Sequence, residues 1–272
     1  MTEFHLHLIS DATGETLNAV VRACLAQFEG VEVVQHLWPL VRTPGQLQQI
    51  VGEIETEPGM VLYTIVDGEL RDQLEDRCHA AGVRCVAVLD PVIAPLAQYL
   101  GVATTGRPGR QHAMDAEYFS RIDAMNFVLT HDDGQSTANL ADADIILVGV
   151  SRTSKTPTCI YLANRGIKAA NVPFVPGCLL PAELFEATNA LIVGLTENAA
   201  RLVQVRRNRL RLLHQNEETA YTDPEQVKAE VTEAQRMFQK HGWPTIDVTR
   251  RSIEETAAAV LQLYMQRRRG RP

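Results

Sequence analysis

The stretch Asp144-Ile145-Ile146-Leu147-Val148-Gly149-Val150-Ser151-Arg152-Thr153-Ser154-Lys155-Thr156 governs the reading of the whole chain. Its first half is almost continuously apolar, as expected of a strand buried on both faces of a parallel sheet. Its second half, Gly149 to Thr156, has the form of a phosphate loop, G-x-x-x-x-G-K-[ST], except that Ser154 stands where the second glycine is usual. Residues 155–165 then read as a helix, with Gly166 placed for the left-handed turn beyond its end. Strand, loop and helix in this order gather successive backbone N–H groups into one concavity, where the helix dipole adds roughly half a positive charge for phosphate oxygens. Lys155 would reach the terminal phosphates there, and Thr156 would offer its hydroxyl to Mg2+. Ser154 would crowd the phosphates if the backbone takes a positive φ. A strand-turn-helix with a chance Lys-Thr pair is the plainer reading of the same residues.

On the carboxyl side, residues 169–172 and 190–195 read as further buried strands and residues 197–214 and 223–241 as helices. Residues 245–248 form a last strand, and Ser252-Ile253-Glu254-Glu255 has the form of a capping box ahead of a helix over 256–265. On the amino side, residues 115–126 are helical, 127–130 are a short apolar run, and His131-Asp132-Asp133-Gly134 is a polar turn. The first ninety residues alternate strands (4–9, 31–37, 60–66, 83–89) with helices (17–28, 46–54, 70–81), and Asp90-Pro91 closes the fourth strand. Such alternation implies parallel pairing. The expected fold is therefore α/β: an amino-terminal three-layer parallel-sheet domain (1–100), a Gly/Pro-bearing linker (101–111), and a P-loop nucleoside-kinase-like α/β domain (112–272).

With 272 residues, 45% of them apolar and 22% charged, the chain is long enough for two such cores. It has no apolar run of the ~18 residues a membrane span needs and no secretory leader pattern, so a soluble, cytoplasmic protein is expected. The balance of 26 basic against 33 acidic side chains, −7, offers no overall attraction for nucleic acid. The basic end, Arg267-Arg268-Arg269-Gly270-Arg271-Pro272, reads as a solvated tail complementing a helix dipole. Cys24, Cys78, Cys85, Cys159 and Cys178 are odd in number and scattered, and read as reduced core thiols.

Phosphoryl transfer also needs a group to orient or deprotonate the acceptor, and cations for the charge that spreads over the phosphoryl. Asp132 and Asp133 are candidates for base and metal ligand, or else a turn cap. Arg152 lies in the loop. Arg201, Arg206, Arg207, Arg209 and Arg211 share one helix, whose apolar face is marked by Leu202, Val205, Leu210 and Leu213, so most of these arginines should face solvent. Ser10-Asp11-Ala12-Thr13-Gly14 follows the first strand and is a weaker second site.

Several marks together resemble one family over nearly the whole chain. They are Ile9-Ser10-Asp11 with Thr13-Gly14, His131-Asp132-Asp133-Gly134, the loop run on through Pro157-Thr158, Gly194-Leu195-Thr196 and Arg201-Leu202. The family is that of the pyruvate, phosphate dikinase and phosphoenolpyruvate synthase regulatory proteins, bifunctional serine/threonine kinases and phosphorylases. The resemblance implies ADP as donor and a threonine beside the target's catalytic histidine as acceptor. It also implies removal of that phosphoryl by inorganic phosphate, with formation of pyrophosphate. It assigns diphosphate binding to Gly149, Val150, Ser151, Arg152, Thr153, Ser154, Lys155 and Thr156, with Lys155 the chief cation, Asp132 and Asp133 as acceptor base and metal ligand, and Mg2+ beside Thr156. Thr153-Ser154 leans towards the dikinase over the synthase as target. Residues 1–100 are expected to dock that protein, and a homodimer is the default assembly. Two other readings compete: an ATP-dependent small-molecule kinase of the shikimate or nucleoside-monophosphate type, and a nucleotide-sensing module without catalysis.

Overall fold

A computed structural model describes residues 4–106, 116–136, 138–217 and 219–270. The chain divides into two compact units, Met1–Ala113 and Met114–Pro272. From residue 107 onward the linker expected over 101–111 lies outside the described residues, as do the first residue of the helix expected from 115 and residues 271–272 of the basic tail.

The first unit runs β1 (Phe4–Ser10), α1 (Glu15–Leu25), β2 (Val33–Trp38), α2 (Pro44–Thr56), β3 (Met60–Thr64), α3 (Gly68–Ala80), β4 (Cys85–Ala87) and α4 (Asp90–Leu100). Its sheet is parallel throughout, in the order β2-β1-β3-β4. Period-two alternation along β1 sorts its side chains: Leu8 packs with Leu17 and Val21 of α1, while Ile9 packs with Leu47, Ile50 and Ile54 of α2 and Leu70 and Leu74 of α3. Thr43 and Asp67 cap α2 and α3 by accepting from the N–H of Gln46 and Leu70. Helix α4 is absent from the sequence expectation, which took Asp90-Pro91 as a stop. Pro91 instead occupies the first turn, where its missing N–H has no helical partner to lose.

The second unit runs α5 (Ala116–Thr130), β5 (Ile145–Gly149), α6 (Lys155–Ala163), β6 (Ala169–Pro173), α7 (Ala182–Glu186), β7 (Leu191–Thr196), α8 (Ala199–Leu212), α9 (Pro224–Lys240), β8 (Thr245–Asp247) and α10 (Ile253–Arg269). The apolar run 127–130 completes α5 and does not stand apart from it. The sheet is again parallel, ordered β6-β5-β7-β8. Every residue of β5 is buried. Ile146 and Val148 face Leu202 and Val203 of α8 and Val227, Val231 and Phe238 of α9. Ile145 and Leu147 face α5, α6 and α10 through Val128, Cys159, Leu162, Ala257 and Val260. After β6 on one side of β5 the chain crosses to β7 on the other, so a crevice opens at the carboxyl ends of β5 and β7, where open α/β sheets take ligands.

Cys78 and Cys159 are buried as expected, whereas Cys24 and Cys178 are exposed and Cys85 is half-buried; all five are free. Cys24 lies on the solvent side of α1, and Cys178 lies in an exposed turn after β6 between Gly177 and Leu179, both also exposed. Among the described residues no helix is long and apolar enough to cross a membrane.

Candidate active site

The loop after β5 starts at Gly149 because nothing larger fits: a Cβ there would stand 2.7 Å from the Leu195 carbonyl oxygen of β7 and 2.8 Å from Thr153 Oγ1. The chain then turns through two left-handed residues, Arg152 (φ 75°) and Ser154 (φ 59°). The positive φ feared for the serine is real, at roughly 1–2 kcal/mol for a residue with a Cβ. Ser154 is the N-cap of α6, and its carbonyl accepts from Thr158 Oγ1 at 2.7 Å, which ties the turn to the helix. Thr153 Oγ1 and Lys155 Nζ each donate to the Val150 carbonyl at 2.9 Å, so the loop closes around a single oxygen. Lys155, 5% exposed, points inward; burial pulls its ammonium down to about 8, against the opposing pull of Asp133 and Asp132.

Beside the loop, Thr156 Oγ1 donates to Asp132 Oδ1 at 2.8 Å. Asn171 of β6 donates from Nδ2 to Asp132 Oδ1 at 2.8 Å and to Asp133 Oδ1 at 3.0 Å, and the same nitrogen lies 2.9 Å from Thr156 Oγ1. The two aspartates sit in a 3-10 turn after α5, with Asp133 itself left-handed at φ 49°. That turn is fastened to β6 by the Asn171 N–H bond to the His131 carbonyl. Asn171 Oδ1 is buried without a partner. Thr156, Asp132 and Asp133 thus gather hard oxygen donors of the kind Mg2+ takes, and the Asn171 amide N–H is the fourth member of the cluster, holding them together. The sequence singled out three of the four. The signal for the fourth was a lone amide inside the apolar strand 169–172.

Of the arginines on α8, only Arg206 faces the loop. It is fully buried, makes a bidentate pair with Glu230 of α9 at 2.7 and 2.9 Å, and donates to the Ser151 carbonyl at 3.2 Å and the Tyr221 carbonyl at 3.1 Å. Its guanidinium also lies 4.4 Å from the Tyr221 ring centre, and the Tyr221 hydroxyl meets Ser151 Oγ at 3.0 Å. Arg206 therefore braces the loop from behind. Arg152, Arg201, Arg207, Arg209 and Arg211 are exposed, and Arg211 pairs with Glu217. Glu197, buried just past β7, has its carboxyl pushed up by burial, with Arg201 opposing.

The weaker candidate, Ser10 to Gly14, lies in the other unit and is occupied with its own structure. Ser10 Oγ accepts from Thr64 Oγ1 at 2.9 Å and Asp11 Oδ2 from the Val66 N–H at 2.7 Å, which joins the ends of β1 and β3.

Two doubly wound parallel sheets, one carrying a phosphate-loop turn beside a cluster of carboxylate, hydroxyl and amide groups, define an α/β protein of phosphotransferase type. The profile of the kinase/pyrophosphorylase family matches residues 6–261, and the chain belongs to that family. A relative from Paramagnetospirillum magneticum is 58% identical over 97% of this chain and 85% of its own length. One from Novosphingobium aromaticivorans is 57% identical over 98% and 95%, and one from Bradyrhizobium diazoefficiens 53% over 99% and 97%. All three bear the provisional name pyruvate, phosphate dikinase regulatory protein.

Proposed function

We propose that this chain is a bifunctional regulator of pyruvate, phosphate dikinase. With ADP it phosphorylates a threonine of the dikinase and inactivates it; with inorganic phosphate it removes that group as pyrophosphate. The observation that supports this most is the 2.8 Å link between Thr156, next to Lys155 in the loop, and Asp132, in a chain of the kinase/pyrophosphorylase family. A site of that make-up can hold a diphosphate, a divalent cation and an acceptor side by side.

In the forward direction the threonine oxygen attacks the β-phosphorus of ADP, the bond to the bridging oxygen breaks, and AMP leaves. The hydroxyl proton passes to a carboxylate. Asp133 suits that task, since it is exposed and, among the described residues, its Oδ1 meets Asn171. Asp132, already engaged by Thr156 and Asn171, suits a metal-holding role. Mg2+ held by Thr156 and Asp132 would supply neutralisation of the phosphate charge. Lys155 and the loop N–H groups hold the diphosphate. In the reverse direction an oxygen of inorganic phosphate attacks the phosphothreonine, the threonine oxygen regains its proton, and pyrophosphate leaves. The same cations serve both directions because both pass a phosphoryl group through one place.

Residues 1–100 would dock the dikinase, leaving residues 112–272 for the nucleotide. Family and relatives favour this regulator over an ATP-dependent small-molecule kinase and over a non-catalytic sensor. A cytoplasmic location goes with it. The test is to incubate the protein with Mg2+ and purified dikinase, compare ADP with ATP, and follow threonine phosphorylation by mass spectrometry, with Lys155→Ala as control. Incorporation from ADP alone, lost in the control, is expected. ATP-dependent turnover of a small acceptor with an untouched dikinase would overturn the proposal.

A further inference from the structure

The first unit carries a second cluster of chemically active side chains that phosphoryl transfer does not use. On β1 and β2, His5, His7 and His36 point to the same face of the sheet, the face that α2 and α3 cover, because β1 alternates with period two and the parallel register sets His7 opposite His36. His5 Nδ1 lies 3.0 Å from His36 Nε2, and His36 Nε2 lies 3.6 Å from Glu57 Oε2. Glu57 is the residue that ends α2. It reaches this corner because Gly59 lets the following turn lie against the strand: a Cβ at Gly59 would stand 2.3 Å from the His5 carbonyl oxygen.

We propose that His5, His36 and Glu57 form a binding site for a divalent transition-metal ion, with zinc the best fit to the donors. Ligands at the usual zinc bond lengths of about 2.0–2.1 Å in a tetrahedron sit about 3.3 Å from one another. The distances of 3.0 and 3.6 Å bracket that spacing, and all three ligand atoms lie within 4.8 Å of each other. Two imidazoles and one carboxylate are ligands that zinc accepts and that Mg2+ and Ca2+ do not prefer. Three protein ligands leave one position for water.

His7 supplies the support that such sites need from behind. It is fully buried, its ring stacks on that of His36 with centres 4.6 Å apart and planes 14° from parallel, and its Nε2 donates to the Glu57 carbonyl at 2.8 Å. It therefore fixes the orientation of one ligand and the backbone of another. The site lies between the amino-terminal half of β1 and the middle of β2, away from the end where Ser10 and Asp11 sit. Its role is to clamp β1, β2 and the α2–β3 turn together.

The test uses the full, untagged chain stripped with a chelator. Zinc is titrated in by calorimetry, and cobalt(II) is used in parallel for its visible absorption. The expected results are one equivalent bound at micromolar concentration or tighter, a cobalt spectrum of low coordination number, and at least a tenfold loss of affinity in His36→Gln and in Glu57→Gln. Glu57 is half-exposed at its side chain, so that variant keeps the test interpretable if His36→Gln folds poorly. Absence of binding below about 100 μM, or equal binding in both variants, overturns the proposal and leaves a hydrogen-bonded histidine pair.

Discussion

Lys155→Met should make the protein more stable and catalytically inert at once. The ammonium is almost wholly buried and titrates at about 8 in place of the ordinary 10.5. At about 1.36 kcal/mol per pH unit, keeping it charged costs the fold about 3 kcal/mol. Among the described residues its hydrogen bond goes to the Val150 carbonyl, which Thr153 also serves, so methionine leaves that acceptor a partner. A net gain of about 2 kcal/mol should remain, raising Tm by about 4–8 °C for a unit of this size. The gain has a pH signature. A lysine whose folded pKa is depressed penalises the fold fully below about 8, and that penalty fades as pH rises from 8 to 10.5, because the folded chain has then shed the proton that the unfolded chain still holds. Calorimetric melting of both proteins from pH 7 to 10 should therefore show the advantage of methionine shrinking with pH. ADP with Mg2+ should raise Tm in the native protein alone. A variant that melts lower at pH 7, or a difference that is flat with pH, refutes the reasoning.

Asp133→Asn should abolish threonine phosphorylation while ADP binding by calorimetry stays within about threefold, whereas Asp132→Asn should raise the Mg2+ concentration needed for half-maximal activity. Arg206→Ala should cost about 3–5 kcal/mol in urea unfolding by leaving the largely buried Glu230 carboxylate unpaired, and Arg206→Met with Glu230→Met should restore a good part of it; equal losses in both would deny that the unpaired charge is what costs. Gly149→Ala should lower stability by about 2–4 kcal/mol, read as a lower urea midpoint, because its methyl group meets the Leu195 carbonyl.

The strand-loop-helix around Gly149 to Thr156 was legible because each part carries its own signal: apolar run, loop residues, then helix period. Asp132 and Asp133 stood out as adjacent charges ahead of a buried strand. What joins them to the loop was not legible, since Asn171 arrives from β6 and no local pattern sets which strand lies next to β5. Arg206 did leave a trace: it falls four residues after Leu202, on the buried side of α8, where an arginine needs a partner. Glu230 and Tyr221, the partners, come from later elements and only the fold brings them near. Helix α4 was hidden by its prolines, which punctuate a strand and open a helix equally well.

The strand order has a consequence for how the chain is born. In each sheet the strand made first ends up in the interior, with β1 flanked by β2 and β3 and β5 by β6 and β7. Neither can satisfy both its edges until two crossovers have been synthesised: β1 waits for Met60–Thr64, and β5 for Leu191–Thr196. At ordinary synthesis rates of about 5–20 residues per second, each stands with one open edge for about 1–5 seconds. That interval of vulnerability on the ribosome occurs twice, and β5, buried over its whole length, exposes the more apolar surface while it lasts.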